Sequence, residues 1–167
     1  MFAIRELTRD DLPSIVSTNG GAAWNGGLEK WNRRLAEHEA GKRLVLLALE
    51  DTTIVGYGAL MWFPAYPPFR ELGIPEIQDL VVAEHRRREG IGSRMIAALE
   101  QRARKRGCLQ IGLGVGLYAD YGAAQRLYGK LGYVPDGHGI TAKLAPAPGG
   151  AQVKVDDDLL IWLVKSL

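Results

Sequence analysis

The sequence predicts a mixed α/β protein in which strands and helices alternate along one chain of 167 residues. Short, β-prone apolar runs recur along the whole chain, and the clearest helical periodicity, over residues 91–106, lies between two of them. A chain of this length can bury one hydrophobic core, and no linker in it is long enough to separate two. We therefore expect a single domain that covers residues 1–167.

The N-terminal part of the sequence predicts one strand and two helices. Residues 2–7 alternate apolar and polar side chains, which indicates a strand. Thr8 and Asp11 have the spacing of a capping box, so a short helix is expected directly after them. A glycine-containing stretch, residues 19–27, precedes a second helix whose apolar positions recur every three or four residues.

The middle of the sequence predicts a hairpin, a loop and another strand. Arg43–Glu50 and Thr53–Met61 are apolar runs joined by a two-residue turn, which is typical of a hairpin. Residues 62–73 contain three prolines, so we expect a loop there. Glu76–Val82 is apolar and β-prone again, and it is the fourth predicted strand.

The second half begins with the strongest helical pattern. Residues 91–106 place their apolar side chains along one stripe, and Gly107 stands at the predicted C-terminal end. Residues 109–117 alternate aliphatic residues with glycines, and this strict period of two predicts a strand with one bare face. That face could leave room for a ligand, or it could let another element pack closely.

The C-terminal part predicts one more helix and two strands. Residues 122–131 have a helical apolar face, and Gly132 follows as the stop signal. Residues 133–142 and 159–163 are strand candidates joined by a polar stretch rich in proline and glycine, residues 146–158.

The composition is that of an ordinary globular protein, with 47% hydrophobic and 24% charged residues. A net charge of +2 is too small to favour nucleic acid as a partner. The single cysteine, Cys108, excludes an internal disulfide, and no zinc-ligand spacing is present. The N-terminus lacks a secretory signal pattern, and no apolar run approaches a membrane span. We expect a cytoplasmic protein without a metal, a membrane or a nucleic acid as a partner.

A basic loop with two glycines joins the fourth predicted strand to the helix that begins at Ile91. The first N–H groups of a helix have no intrahelical partner and lie at the positive end of its dipole, so they attract anions. Gly90 and Gly92 would let a phosphate approach the backbone, and the arginines add charged donors. The loop therefore predicts either a pyrophosphate site or a solvated basic face. It is neither a Walker loop nor the three-glycine dinucleotide fingerprint.

Two motifs resemble those of the GCN5-related N-acetyltransferases. Residues 87–92, Arg-Arg-Glu-Gly-Ile-Gly, are similar to the family's Arg/Gln-x-x-Gly-x-Gly/Ala signature, and residues 79–82 look like its fourth strand. Residues 124–133, Ala-Gln-Arg-Leu-Tyr-Gly-Lys-Leu-Gly-Tyr, are similar to its second motif. The resemblance implies a mixed central sheet of six to seven strands with about four helices, and a fourth and a fifth strand that splay apart.

The resemblance also implies acetyl-CoA as the acyl donor. In the family, the pantetheine arm pairs with the fourth strand and the pyrophosphate lies on the loop amides. Tyr121 stands where many relatives have an asparagine that contacts this arm. We expect Arg86 to be solvated or to reach the outer phosphate. The expected donor contacts are Leu80, Val81, Val82, Arg87, Arg88, Glu89, Gly90, Ile91, Gly92, Ser93, Tyr121 and Ala124.

For catalysis, the resemblance points to Tyr128, because the matching tyrosine in the family protonates the departing thiolate. Tyr128 could also be a core aromatic, since it lies on the apolar face of a predicted helix. The attacking amine must lose a proton, and Glu76 and Asp79 are the candidate bases. They are three residues apart, so strand alternation predicts that they lie on opposite faces.

We therefore expect direct transfer of an acetyl group from acetyl-CoA to a primary amine in a ternary complex. The alternatives are a non-catalytic acyl-CoA-binding module of the same fold, a nucleic-acid binder that uses the arginine run, and a covalent route through Cys108. The resemblance also allows a homodimer. Several aromatic residues could form the acceptor wall or belong to the core, namely Trp24, Trp31, Trp62, Phe63, Tyr66 and Phe69.

Overall fold

A computed structural model describes residues 1–17 and 27–167. The described residues contain helices α1 (Leu12–Ser17), α2 (Gly27–Glu39), α3 (Pro67–Leu72), α4 (Ile91–Lys105) and α5 (Gly122–Lys130). They also contain strands β1 (Phe2–Glu6), β2 (Arg43–Glu50), β3 (Thr53–Met61), β4 (Glu76–Val82), β5 (Gln110–Gly116), β6 (Val134–Ala142), β7 (Ala145–Pro146) and β8 (Leu159–Ser166). Within these ranges, no helix is both long enough and apolar enough to span a bilayer.

The described residues form two compact units. Unit 1 comprises Met1–Trp62 and Ile77–Arg102, and unit 2 comprises Phe63–Glu76 and Ala103–Leu167. The strand order is β1-β2-β3-β4 in the first part of the mixed sheet and β5-β8-β6-β7 in the second. The mixed α/β prediction is confirmed. The expected numbers are too small, because the sheet has eight strands rather than six to seven, and five helices are described rather than about four.

The two elements absent from the prediction are short. Helix α3 occupies part of the predicted loop 62–73, because proline is tolerated at the first helical position and Gly73 ends the helix with a φ of 67°. Strand β7 has two residues, which pair with Thr141 and Ala142 of β6. Neither element is long enough to produce a periodic pattern in the sequence.

Unit 1 is built on the antiparallel strands β1, β2 and β3. Trp31 and Leu35 of α2 pack on one side of these strands against Val45, Leu47 and Tyr57. The predicted capping box before α1 is present, since Asp11 accepts hydrogen bonds from the backbone and the side chain of Thr8. The predicted glycine-containing stretch 19–27 lies outside the described residues, apart from Gly27.

Unit 2 is built on β5, which pairs antiparallel with β8 from Gln110–Ser166 to Gly116–Leu160. This ladder explains why β8 extends beyond the predicted end at residue 163. Glu76, the first residue of β4, pairs in parallel with Gly112. This is the pair that the structure gives between the two strands, and both of its residues belong to unit 2.

Aromatic rings cover the bare face of β5. A Cβ atom at Gly112 would lie 2.3 Å from the Phe69 ring, and one at Gly116 would lie 2.3 Å from the Tyr121 ring. A Cβ atom at Gly114 would lie 3.0 Å from Trp162. The expectation that this face leaves room for a ligand is therefore wrong, and the alternative of close packing is confirmed. The glycines instead allow three aromatic side chains to pack directly on the strand.

Candidate functional site

The loop between β4 and α4 has the backbone geometry of an anion site. Arg88 and Gly90 adopt left-handed conformations, with φ values of 67° and 81°. The carbonyl of Gly90 accepts the N–H of Arg94 at 3.1 Å, so Gly90 is the residue at which α4 begins its hydrogen bonding. The space around the Gly90 Cβ position is open to 4 Å, and Arg87 and Arg88 are exposed. A phosphate can therefore approach this backbone.

Not all of the N–H groups expected to bind an anion are available for it. The N–H of Arg87 donates to the carbonyl of Glu84 at 3.2 Å, so it is already engaged. The N–H groups of Ile91, Gly92 and Ser93 belong to the first turn of α4, where no intrahelical acceptor exists. This turn, together with Arg88, is the strongest donor set of the loop.

Arg86 stabilises the loop from within. Its guanidinium forms ion pairs with Glu50 and with Glu89, the latter at 2.8 Å. These carboxylates raise the pKa of Arg86, and the guanidinium lowers the pKa of Glu89. The expectation that Arg86 is solvated or reaches a phosphate is therefore wrong. The Glu89 side chain is also engaged, so Glu89 could contact an anion through its backbone.

Asp79 lies at a kink in β4. Its φ of 53° interrupts the extended backbone, so strict alternation of faces does not continue through β4. Its Oδ2 atom accepts hydrogen bonds from Arg34 at 2.7 Å and Arg43 at 3.3 Å. The sequence gives no signal for these partners, because they lie 45 and 36 residues away. A carboxylate held by two guanidinium groups is not free to turn towards an acceptor amine.

Arg34 is buried among aromatic rings. Its side chain is 6% exposed, and its guanidinium carbon lies 4.8 Å from the ring centre of Trp31 and 5.3 Å from that of Tyr57. A buried guanidinium needs a counter-charge, which Asp79 supplies. The Arg34–Asp79 pair is therefore part of the core of unit 1.

Glu76 and Tyr128 both belong to unit 2. Glu76 is 8% exposed at the beginning of β4. Tyr128 is also 8% exposed, on α5, and burial raises its pKa to about 12. Its ring lies edge-on to that of Tyr133, with 6.0 Å between centroids. The phenol therefore keeps its proton throughout the neutral range.

Two further expected donor contacts, Tyr121 and Ala124, lie near the start of α5. Tyr121 donates its hydroxyl hydrogen to Oδ1 of Asp157 at 2.9 Å, and Tyr118 donates to the same oxygen. Burial and this carboxylate raise the pKa of Tyr121. Its hydroxyl is thus engaged by the C-terminal segment, so a donor contact would have to use the ring. Ala124 is half-buried on α5.

Unit 2 contains an apolar cleft of about 390 Å³ beside α5. Gln125 lines it, but the amide nitrogen of this side chain donates to the carbonyl of Gly116 at 2.7 Å. Tyr133 lines the cleft and also contacts Tyr128. The lining residues are Val115, Leu117, Gln125, Gly129, Tyr133, Ile161 and Leu163.

Three of the six aromatic residues that were expected to form the acceptor wall belong to the hydrophobic core. Trp31, Tyr66 and Phe69 are each at most 2% exposed, whereas Phe63 is 70% exposed. Trp62 is half-buried, and Trp24 lies outside the described residues.

The covalent alternative gains no support from the structure. Burial raises the pKa of Cys108, which disfavours its nucleophilic thiolate. Within residues 1–17 and 27–167, no group of three or more His, Cys, Asp or Glu side chains could hold a metal ion.

Comparisons with known proteins identify one matching family and several structures of similar fold. The sequence model of the acetyltransferase (GNAT) family matches residues 1–133. A ribosomal-protein-alanine N-acetyltransferase from Brucella melitensis is 24% identical, with a TM-score of 0.72 and 99% of each chain covered. The PaiA N-acetyltransferase from Thermoplasma acidophilum, in complex with coenzyme A, is 16% identical, with a TM-score of 0.65. The match covers 100% of this chain and 99% of that one.

A third structure, YncA from Salmonella typhimurium with its cofactor acetyl-CoA, is 17% identical with a TM-score of 0.69. The match covers 99% of this chain and 94% of that one. No curated protein sequence matches the chain.

Proposed function

The chain belongs to the acetyltransferase (GNAT) family, and on that premise we propose that it transfers an acetyl group directly from acetyl-CoA to a primary amine. The observation that supports this most is the loop before α4. It combines open backbone at Gly90, an exposed Arg88 and the unpaired first turn of a 15-residue helix. These groups suit a pyrophosphate.

For donor binding, we propose that the pyrophosphate lies against Arg88 and the amides of the first turn of α4. The backbone of Leu80, Val81 and Val82 would pair with the pantetheine arm, and these three residues are half-buried at the end of β4. Bound acetyl-CoA would supply an activated thioester. The solved relatives with coenzyme A and acetyl-CoA support this choice of donor.

For proton transfer, we propose Tyr128 as the general acid. The amine nitrogen bonds to the carbonyl carbon, the carbon–sulfur bond breaks, and the phenol gives its proton to the departing sulfur. Of the two candidate bases, Glu76 is favoured to take the proton that nitrogen loses as the new bond forms. Asp79 is disfavoured, because its carboxylate is held by Arg34 and Arg43.

The acceptor is proposed only as a primary amine. One solved relative acts on a ribosomal-protein alanine and another on the 6′ position of aminoglycosides, so an α-amino group and an aminoglycoside are suitable first probes. The cytoplasmic location and the homodimer stay predictions.

The test has two parts. First, thermal unfolding is followed with acetyl-CoA, with CoA and without ligand; a ligand at 100 times its Kd should add about 2.7 kcal/mol of stability. Second, thiol release is followed with an alanine-terminated peptide, kanamycin and spermidine, for the native chain and for Tyr128→Phe. The proposal expects ligand stabilisation in both proteins and turnover that falls strongly in the variant.

Two results would change the proposal. Stabilisation by acetyl-CoA without turnover of any amine would favour the non-catalytic acyl-CoA-binding module. Unchanged turnover in Tyr128→Phe would remove Tyr128 as the general acid but leave acetyl transfer in place.

A further inference from the structure

Strand β6 leaves its ladder with β8 between Pro135 and Ile140. Gly137 and Gly139 have φ values of 89° and 77° in this interval, a conformation that side chains with a Cβ atom rarely adopt. His138 lies between these glycines, and its side chain is 58% exposed. The local backbone therefore removes one imidazole from the sheet and presents it to solvent.

A buried carboxylate holds this imidazole. The Asp136 side chain is 7% exposed, and its Oδ1 atom accepts the backbone N–H of His138 at 2.9 Å. Its Oδ2 atom accepts the hydroxyl hydrogen of Tyr66 at 2.8 Å and lies 3.5 Å from Nδ1 of His138. Asp136 therefore faces Nδ1, which leaves Nε2 as the nitrogen suited to accept a proton from outside.

Tyr66 fixes the carboxylate from the other side. It is 2% exposed, and both burial and Asp136 raise its pKa, so it remains a hydrogen-bond donor. The ionisable groups against the imidazole are thus Asp136 on its own strand and, behind the carboxylate, Tyr66 from the segment before α3. An exposed imidazole oriented by a fixed carboxylate is an arrangement suited to general base catalysis.

Packing contacts connect this cluster to Glu76 within unit 2. The Tyr66 ring stacks on Trp162 with 3.9 Å between centroids, and Phe69 packs edge-on against both rings. The Phe69 ring covers Gly112, the residue that pairs with Glu76. One continuous chain of contacts therefore runs from the Asp136–His138 pair through the aromatic rings to Glu76.

We propose that His138, oriented by Asp136, takes the first proton from the ammonium group of the acceptor; this step rests on the proposed function. Acylation of an ammonium removes two protons from nitrogen, one before attack and one as the carbon–nitrogen bond forms. His138 accepts the first and returns it to solvent. Glu76 accepts the second, and Tyr128 protonates the sulfur. Glu76 then gives its proton back and Tyr128 regains one, so one net proton is released per acetyl transfer.

The test compares the native chain with His138→Gln, Asp136→Asn and Lys154→Gln across pH 6 to 9.5, using whichever of the three amine probes is acetylated fastest. Lys154 forms an exposed ion pair with Asp156, so its variant controls for a change of surface charge. We expect kcat/KM for the amine to fall about 10-fold in His138→Gln at pH 6.5 and less than about 2-fold at pH 9.5, where more free amine is present. Free imidazole should restore part of the loss.

The Asp136→Asn variant should show the same pH dependence with a smaller loss, whereas Lys154→Gln should match the native chain. A loss in His138→Gln that is equal at all pH values and insensitive to imidazole would overturn the proposal, because a purely structural effect gives that result. Native activity in His138→Gln would overturn it too, while leaving acetyl transfer intact. No turnover of any amine by the native chain would instead overturn the proposed function and, with it, this step.

Discussion

Arg34 donates a hydrogen bond to Asp79 at 2.7 Å, and this pair joins helix α2 to the kink of strand β4. The Arg34 side chain is 6% exposed and the Asp79 side chain 35% exposed, so the cation is the more buried partner. Removal of the carboxylate would leave a guanidinium group among aromatic rings without its main counter-charge.

We therefore predict that Asp79→Asn lowers the free energy of unfolding by about 2 kcal/mol, less than for a fully buried pair because Asp79 is partly exposed. Urea unfolding at pH 7 measures this change. Asp51→Asn is the matched control, since its ion pair with the N-terminus is exposed and should contribute under about 1 kcal/mol. Equal effects of the two variants would show that the buried guanidinium does not depend on Asp79.

The buried phenol of Tyr128 predicts a pH profile. Because its pKa is raised to about 12, the protonated acid persists to a higher pH than an ordinary tyrosine would allow. The rate of acetyl transfer should therefore show no loss from phenol ionisation up to pH 10.5. The measurement is kcat against pH at saturating acetyl-CoA. A decline with an apparent pKa near 10 that is absent from the residual activity of Tyr128→Phe would contradict the raised value.

The bounds of strands and helices were predictable where the residues that set them are neighbours in the sequence. The bounds of β2, β3 and β4 are as expected, because each strand is an apolar run limited by turn residues. Helix α4 begins at Ile91 as predicted and ends one residue early, near the signal of Gly107. The extension of β8 to Ser166 was not predictable, because it depends on the ladder with β5.

The candidate site was predictable in part for the same reason. The basic loop and the helix after it are contiguous in sequence, so their anion-binding geometry could be expected. The partners of Asp79 and of Arg86 are distant in sequence, and only the folded chain brings them together. The aromatic cover of Gly112 and Gly116 likewise depends on tertiary packing, which a period of two cannot reveal.

Substitution by alanine should have opposite effects on stability at Gly116, the last residue of β5, and at Gly129 within α5. A Cβ atom at Gly116 would lie 2.3 Å from the Tyr121 ring, so Gly116→Ala should destabilise the fold by about 1–3 kcal/mol. Gly129 is helical with no atom within 4 Å of its Cβ position, so Gly129→Ala should stabilise by about 0.5–1 kcal/mol. Thermal unfolding of both variants checks this. Destabilisation by Gly129→Ala would contradict the open space at that position.

Arg88 should dominate the charge-dependent part of donor binding. It is exposed in the loop before α4, whereas Arg86 is held by two carboxylates. We predict that Arg88→Ala raises the Kd for CoA about 10-fold at low salt, and that this difference shrinks as salt screens the phosphate contact. Isothermal titration at 20 mM and 500 mM NaCl measures it. Arg106→Ala, a variant of an arginine outside the loop, should leave the Kd unchanged.

Asp11 makes stability depend on pH. Its carboxylate accepts hydrogen bonds from Arg5 at 2.6 Å and 2.8 Å, and this partner above all lowers the pKa to about 2 from an ordinary value of 3.8. Because the folded pKa is the lower one, the stabilisation is complete above the unfolded pKa and is lost as pH falls towards 2.

Asp11→Asn should lower the free energy of unfolding by about 2 kcal/mol at pH 7, and this difference from the native chain should shrink between pH 4 and pH 2. Urea unfolding of both proteins at pH 7, 4 and 2.5 tests it, since taking the difference cancels the other titrating groups. A difference that stays constant with pH would mean that Asp11 acts through its capping hydrogen bonds rather than through its charge.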